Sequence, residues 1–373
     1  MKKTLAALAV LGAFAGSAMA ADVTLYGALD TGFEYFHTKS TGDKAVDTFD
    51  MQTGWDTPSR WGLKGSEDLG NGYKVSFKLE SGFNSDDGTM GQENRLFGRE
   101  AGLTLSGPFG SIAFGRFGGI SSSAGTYDML GYVESFDGGD GDVWGFASSS
   151  RYDNMVVYQT PRFAGLQLTA QYSFKTDTKA TNYSGEEGTS DAQRYASVGL
   201  SGEYGPAQFA VGYELTKYGS SEATSTAPAA REPDKDGQLV FVGGNYDFEV
   251  VQLFAEAQYF KHQTAINTNE QGEASVFGKD ALGLKGYGLH LGAAAPLGAG
   301  TLTAGLYYVD YSEEFDAAAD QDYKFYGASA RYNYPLSERT SVYAGAGYGQ
   351  TKADDSGDKD QLTQVYCGLV HTF

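Results

Sequence analysis

The chain contains little of what most enzymes and disulfide-stabilised secreted domains depend on. Its 373 residues include one cysteine, four histidines and eight prolines. The single cysteine, Cys367, has no partner within the chain, so no internal disulfide stabilises the fold. Lysine and arginine total 27 against 47 aspartate and glutamate residues. This balance argues against nucleic-acid binding, because phosphate contacts require clusters of basic side chains.

Long hydrophobic runs are equally scarce. The one long apolar stretch follows two lysines, ends in small residues at Ala20 and has the layout of a secretory signal peptide. We therefore expect residues 1–20 to be cleaved and residues 21–373 to form one mature domain. Beyond residue 20 no stretch approaches the roughly 18 apolar residues of a membrane helix. A helical membrane protein is excluded, which leaves a soluble secreted protein or a β-barrel.

Glycine and aromatic residues are abundant instead, with 52 Gly, 26 Tyr and 23 Phe. They occur in runs of roughly ten residues in which apolar and polar side chains alternate. From Leu166 to Phe174, for example, Leu, Leu, Ala, Tyr and Phe alternate with Gln, Thr, Gln and Ser. A period of two predicts a strand with one face in an apolar medium and the other in water.

The alternating runs predict an all-β fold, a 16-stranded antiparallel transmembrane β-barrel. The predicted strands are 22–37, 57–66, 71–84, 95–107, 110–117, 151–160, 166–177, 193–204, 206–219, 237–247, 250–262, 280–295, 298–312, 322–335, 339–352 and 361–373. Short turns alternate with long acidic loops, as in an up-and-down barrel that crosses a membrane. A β-sandwich is the alternative, but its core would need more large aliphatic residues. Sixteen strands would enclose a lumen wide enough for water.

Five segments carry a family resemblance: Val23–Gly27, Ser59–Gly72, Arg99–Leu103, Gly110–Arg116 and Gly368–Phe373. In these segments the chain resembles the general, non-specific porins of Gram-negative outer membranes, most closely those of β-proteobacteria. The resemblance implies a homotrimer through which small hydrophilic solutes diffuse passively. It also implies short periplasmic turns, long extracellular loops and an inward-folded third loop, which would be residues 118–150.

A narrow pore selects by charge and width, so charged residues are the candidate site. On the third loop the acidic candidates are Asp128, Glu134, Asp137, Asp140 and Asp142; on the wall the basic candidates are Arg60, Lys64, Arg99, Arg116 and Arg151. Acids facing arginines across a gap create a transverse field that favours hydrated, dipolar solutes. For Arg99 and Arg116 the inward orientation rests on the resemblance, because both share parity with apolar neighbours.

The sequence leaves several alternatives open. A substrate-selective channel of the same fold would need an aromatic stripe or a single-sign ring of charge along the lumen. A barrel enzyme is disfavoured because the four histidines are scattered and no nucleophile–base pair is recognisable. An adhesive barrel has no supporting motif. No catalytic residue, metal site or cofactor is expected.

The expected partners are solutes, ions, outer-membrane lipid and lipopolysaccharide. The acidic loops at 177–191, 231–236 and 353–360 are candidates for divalent cations beside lipopolysaccharide phosphates, although none has the spacing of a calcium loop. The acids of the third loop lead us to expect a preference for cations. Charges farther away contribute little, because salt screens them within about 8–10 Å.

Overall fold

The computed structural model describes residues 22–122, 125–131, 144–179, 185–219, 235–267, 281–316 and 318–373. The expected signal peptide and the loop acids Glu134, Asp137, Asp140 and Asp142 lie outside the described residues. Within these ranges the chain forms one antiparallel sheet of 17 strands. The strands are β1 (Asp22–Ser40), β2 (Val46–Thr53), β3 (Arg60–Gly70), β4 (Tyr73–Gly82), β5 (Glu100–Gly107), β6 (Gly110–Gly118), β7 (Arg151–Gln159), β8 (Leu166–Ser173), β9 (Arg194–Tyr204), β10 (Ala207–Lys217), β11 (Gly237–Asp247), β12 (Gln252–Gln263), β13 (Ala281–Leu297), β14 (Gly300–Phe315), β15 (Gln321–Ser337), β16 (Thr340–Ala353) and β17 (Lys359–Thr372).

The sheet closes into a barrel through its first and last strands. β1 pairs with β17 from Ala28 to Ser40. On its other edge β1 pairs with β2 in its second half and with β3 in its first half. β2 and β3 are therefore two parts of one wall strand, and the wall has sixteen strand positions. The predicted 16-stranded barrel is confirmed.

The two faces of the wall differ as the period of two predicts. On β1, Leu25 and Phe33 are exposed on the outer surface, whereas Asp30 and Glu34 are buried on the inner side. On β8, Leu168 is exposed and Thr169 is buried. An outward apolar face and an inward polar face suit a barrel surrounded by lipid.

One expectation about the wall is wrong. The sequence interpretation treats 38–56 as a long loop and begins the second strand at 57. The structure instead extends the first hairpin, so that β1 continues to Ser40 and β2 covers Val46–Thr53. The interruption lies at 54–59, where Gly54 has a φ of 77° and Pro58 lacks the N–H that a ladder needs.

The chain between β4 and β5 holds the only helix-like turn among the described residues. It covers Gly91–Asn94, and Gln92, Glu93 and Asn94 all have positive φ. In the described part of the chain no helix has both the length and the apolar character needed to cross a membrane.

Candidate functional site: the interior constriction

The described parts of the segment between β6 and β7 lie inside the barrel. Its first limb, residues 119–122 and 125–131, packs against β5, β6 and β9–β11. The Tyr127 ring lies 5.1 Å from that of Phe117 in an edge-to-face arrangement. Farther along, Ile120, Met129 and Leu130 form a buried cluster with Ala210 and Phe241. Glycines on β9 and β10 make room for these side chains, since a Cβ on Gly199 would lie 2.3 Å from the Met129 sulfur.

Carboxylates on the inner wall hold the same limb by hydrogen bonds. The backbone N–H and the hydroxyl of Thr126 both donate to Glu100, at 2.7 and 3.0 Å. Glu214 accepts from the Ser121 N–H at 2.9 Å, from the Ser149 hydroxyl at 3.1 Å and from the Tyr195 hydroxyl at 2.9 Å. Ser121 lies near the start of the segment and Ser149 near its end. Glu214 therefore binds both ends of the segment, which we call its roots, to the wall.

The second limb, 144–149, packs against the other half of the barrel. The Trp144 ring lies 5.8 Å from Tyr307 on β14 and 5.3 Å from Phe325 on β15. On β12, the side chain of Gln258 accepts from the Ala147 N–H at 2.8 Å and donates to its carbonyl at 2.7 Å. The two described limbs thus contact inward side chains from both halves of the wall. Both described limbs therefore lie on the inner side of the wall.

Arg60 and Lys64 lie on the inner face of β3, near the level at which the first limb is bound. Gly62, between them, is in register with Glu80, which is in register with Glu100, the residue that binds Thr126. The Arg60 guanidinium donates to the Pro58 carbonyl at 3.1 Å. The Lys64 ammonium lies 5.0 Å from the centre of the Tyr26 ring. Within the described ranges neither cation is in a salt bridge.

Arg99 lies at the same level but its charge is balanced. Its Nε donates to Glu80 at 2.6 Å, and its side chain is buried. Lys78, which the sequence analysis did not select, forms ion pairs with Glu80 and Glu100. The alternation of β4 was a usable signal for Lys78, since this residue shares its face with Glu80. The inner wall next to the first limb therefore carries a network of ion pairs in which positive and negative charges balance, formed by Arg99, Lys78, Glu80 and Glu100.

Arg116 lies on the opposite face of the wall from Arg60, whereas the family resemblance implies the inner face. Arg116 is in register with Ala101, and Phe114, two residues earlier, is 54% exposed on the outer surface. Its guanidinium donates to Asp153 at 2.6 Å and to the Gly98 carbonyl at 2.7 Å. The outward parity of Arg116, visible in the sequence, therefore outweighs the orientation inferred from resemblance.

Arg151 begins β7 beside Tyr152, whose ring packs on Tyr195 at 4.4 Å inside the barrel. Strand alternation places Arg151 on the side opposite Tyr152, away from Arg60. Among the acidic candidates, only Asp128 is described. It lies in the first limb, is partly exposed and accepts from the Leu130 N–H at 3.0 Å.

A buried arginine on β15 was missed altogether. Arg331 lies on the inner face and is 6% exposed; its Nε is 3.3 Å from a carboxylate oxygen of Asp56 in the 54–59 interruption. Its parity with the inward Phe325 was visible in the sequence. Its partner was not, because 54–56 was assigned to an outer loop.

A closed barrel with a chain segment inside its lumen is an architecture typical of a channel. Comparison with known proteins identifies the family. The sequence model of the Gram-negative porin family matches residues 6–355. The chain belongs to this family. An outer membrane porin protein of Bordetella pertussis is 35% identical over 402 residues, covering 100% of both chains. This porin is therefore a channel of the Gram-negative outer membrane and not an enzyme.

Solved structures share the porin fold. An anion-selective porin from Comamonas acidovorans has a TM-score of 0.64 at 22% identity, with 95% of this chain and 100% of that chain covered. The trimer form of OmpT, an outer membrane protein of Vibrio cholerae, has a TM-score of 0.56 at 16% identity, with 94% and 99% covered. At these identities the likeness concerns the fold.

Proposed function

We propose that this porin is a general diffusion pore whose ion preference is set where the third loop faces Arg60 and Lys64. The proposal rests on the position at which the third loop is bound to the wall. Thr126 is bound to Glu100, in the row that lies between Arg60 and Lys64 on the inner wall. Loop acids near this level would face two cations that have no salt-bridge partner among the described residues.

The proposed selectivity follows from the charges on each side of the gap. Arg60 and Lys64 supply fixed positive charge on the wall. Asp128, together with the proposed Glu134, Asp137 and Asp140, supplies negative charge on the loop. Opposite charges on facing walls orient a dipolar solute and help to replace the water it loses, whereas an apolar solute gains no such compensation. Because the loop acids outnumber Arg60 and Lys64, we propose a mild preference for cations.

The test is the reversal potential of the purified porin in a planar bilayer under a salt gradient. The wild type should favour cations. Arg60→Gln and Lys64→Gln should each raise the cation-to-anion permeability ratio, by up to about fivefold, because a unit charge near 4 Å is worth about 1 kcal/mol in water. Lys39→Gln is the matched control, since Lys39 is exposed at the loop end of β1.

Two results would contradict this proposal. One is a wild-type pore that favours anions. The other is a shift in Arg60→Gln and Lys64→Gln no larger than that of Lys39→Gln. The alternative, a substrate-selective channel of the same fold, is tested by measuring conductance with added sugars or phosphate. Saturable block by one solute would identify such a channel.

We further propose that the porin assembles as a homotrimer surrounded by outer-membrane lipid and lipopolysaccharide. The outward apolar side chains support contact with lipid, and the trimeric form of the OmpT relative supports the assembly. Chemical cross-linking in detergent tests the trimer, for which a ladder that ends at three chains is expected.

A further inference from the structure

We infer that residues 54–59 form a second constriction element, distinct from the third loop, in which Asp56 and Arg331 determine specificity. We call these residues the inner shelf. The inference rests on the channel function of the porin and is independent of how the loop acids set selectivity.

The inner shelf leaves the wall at a defined break in the ladder of β1. Around Asp30 the regular strand pairing is replaced by hydroxyl groups and one long backbone hydrogen bond, from the Gly54 N–H to the Asp30 carbonyl at 3.3 Å. The Asp30 N–H donates to Ser59 Oγ at 3.0 Å, and the Asp30 carbonyl accepts from Thr53 at 3.1 Å and from Ser85 at 2.8 Å. The backbone groups exposed by the break are thus satisfied, as buried peptide groups require. The interruption is therefore an ordered, hydrogen-bonded part of the wall and not a frayed loop.

The Asp30 carboxylate binds the inner shelf to the wall by hydrogen bonds. One oxygen accepts from the N–H groups of Asp56 and Thr57, at 2.8 and 2.9 Å. The other accepts from the Tyr343 hydroxyl on β16 at 2.7 Å. This buried carboxylate therefore joins the inner shelf to a strand that lies two positions away from β1 around the barrel.

The inner shelf continues across the inside of the wall. Trp55 stacks on Tyr366 of β17, with ring centres 4.6 Å apart. Asp56 reaches β15, where its carboxylate accepts from the Asn333 amide at 2.7 Å and pairs with Arg331 at 3.3 Å. In the order of strands around the barrel, β1, β17 and β16 lie between the start of the inner shelf and Arg331. The inner shelf therefore bridges the inner surface of three strands.

On β15, the far end of the inner shelf and the second limb of the third loop lie at different heights. Trp144 of the loop packs on Phe325, and Arg331 lies six residues farther along β15, about 20 Å along the strand at ~3.3 Å per residue. This direction leads to the short turn between β15 and β16. At its other end the inner shelf adjoins Arg60, whose guanidinium donates to the Pro58 carbonyl at 3.1 Å, so it extends the charged inner surface from β3 to Arg331.

The Asp56–Arg331 pair gives the inner shelf an electrostatic role. A carboxylate held on the inner shelf and a guanidinium held on the wall maintain a fixed field at this second level. Removing one partner leaves the other charge uncompensated. The selectivity of the pore should therefore respond in opposite directions to loss of Asp56 and loss of Arg331, and a change at both positions should cancel.

The experiment compares Asp56→Asn, Arg331→Gln and the double variant in planar bilayers under a salt gradient. Asp56→Asn should lower the cation-to-anion permeability ratio, Arg331→Gln should raise it, each by about two- to fivefold, and the double variant should return near the wild type. Asp354→Asn is the matched control, because it removes a carboxylate from an exposed ion pair with Lys324. Folding is checked by the mobility of unheated and boiled samples on a gel.

The outcomes are decisive in both directions. If Asp56→Asn shifts the reversal potential no more than Asp354→Asn, the inner shelf does not face the permeation path and the inference is wrong. Asp56→Asn keeps an acceptor for Asn333, so this variant decides the matter even if Arg331→Gln does not fold. A shift in Asp56→Asn without one in Arg60→Gln would overturn the loop proposal and leave the inner shelf standing.

Discussion

At the scale of single residues, strand parity was a better guide than resemblance. Parity places Arg60 and Lys64 on one face of β3, and both lie on the inner wall. For Arg116 parity and resemblance disagreed, and the register with Ala101 follows parity. Arg331 was within reach of the same rule. Its pairing with Asp56 was not, because that contact depends on a break in the wall whose direction no local pattern gives.

A prediction at this scale concerns the glycine beneath Trp144. A Cβ on Gly349 would lie 2.6 Å from the Trp144 ring, and this ring is fixed between Tyr307 and Phe325. Gly349→Val should therefore displace the second limb of the loop and change the single-channel conductance. Ala344→Val, exposed on the same strand, is the control. Equal conductance in the two variants would show that Trp144 does not hold the loop.

At the scale of elements, the strands were predictable and the inward segments only partly so. The predicted strand 166–177 corresponds to Leu166–Ser173 because alternation persists wherever one face meets lipid and the other water. The inner shelf has no such period. Gly54 and Pro58 mark a break, but its inward path is fixed by Asp30 and Tyr343, which are distant in sequence. Long-range contacts of this kind leave no local signature.

The corresponding prediction concerns the root of the third loop. Glu214→Ala removes the acceptor shared by Ser121, Ser149 and Tyr195. Leaving a buried donor unsatisfied costs about 1–3 kcal/mol, so both roots of the loop should loosen. We expect noisier open-channel current and faster proteolysis within 118–150 than in the wild type. Glu203→Ala, at an exposed ion pair with Arg162, should leave both properties unchanged; if it changes them equally, Glu214 has no special role.

At the scale of the whole molecule, closure makes the barrel one cooperative unit. Each wall strand is paired on both edges, so no open edge remains to template aggregation. The seam between β1 and β17 joins the first and last strands of the barrel, which are far apart in sequence. Its last link is made by the final residue, since the Gly27 N–H donates to the Phe373 carbonyl and the Phe373 N–H donates to the Gly27 carbonyl, each at 3.0 Å.

Deleting Phe373 should therefore weaken closure while leaving the lumen intact. The deletion removes two backbone hydrogen bonds, each worth about 0.5–1.5 kcal/mol net. The temperature at which the folded gel band converts to the unfolded one should fall, with no change in reversal potential because the Phe373 side chain is exposed on the outer face of the wall, opposite the inward side chains of Arg60 and Asp56. Phe373→Leu retains both backbone bonds and should lose less stability. If the two variants unfold at the same temperature, the Phe373 ring on Gly27 closes the seam, and the backbone bonds add little.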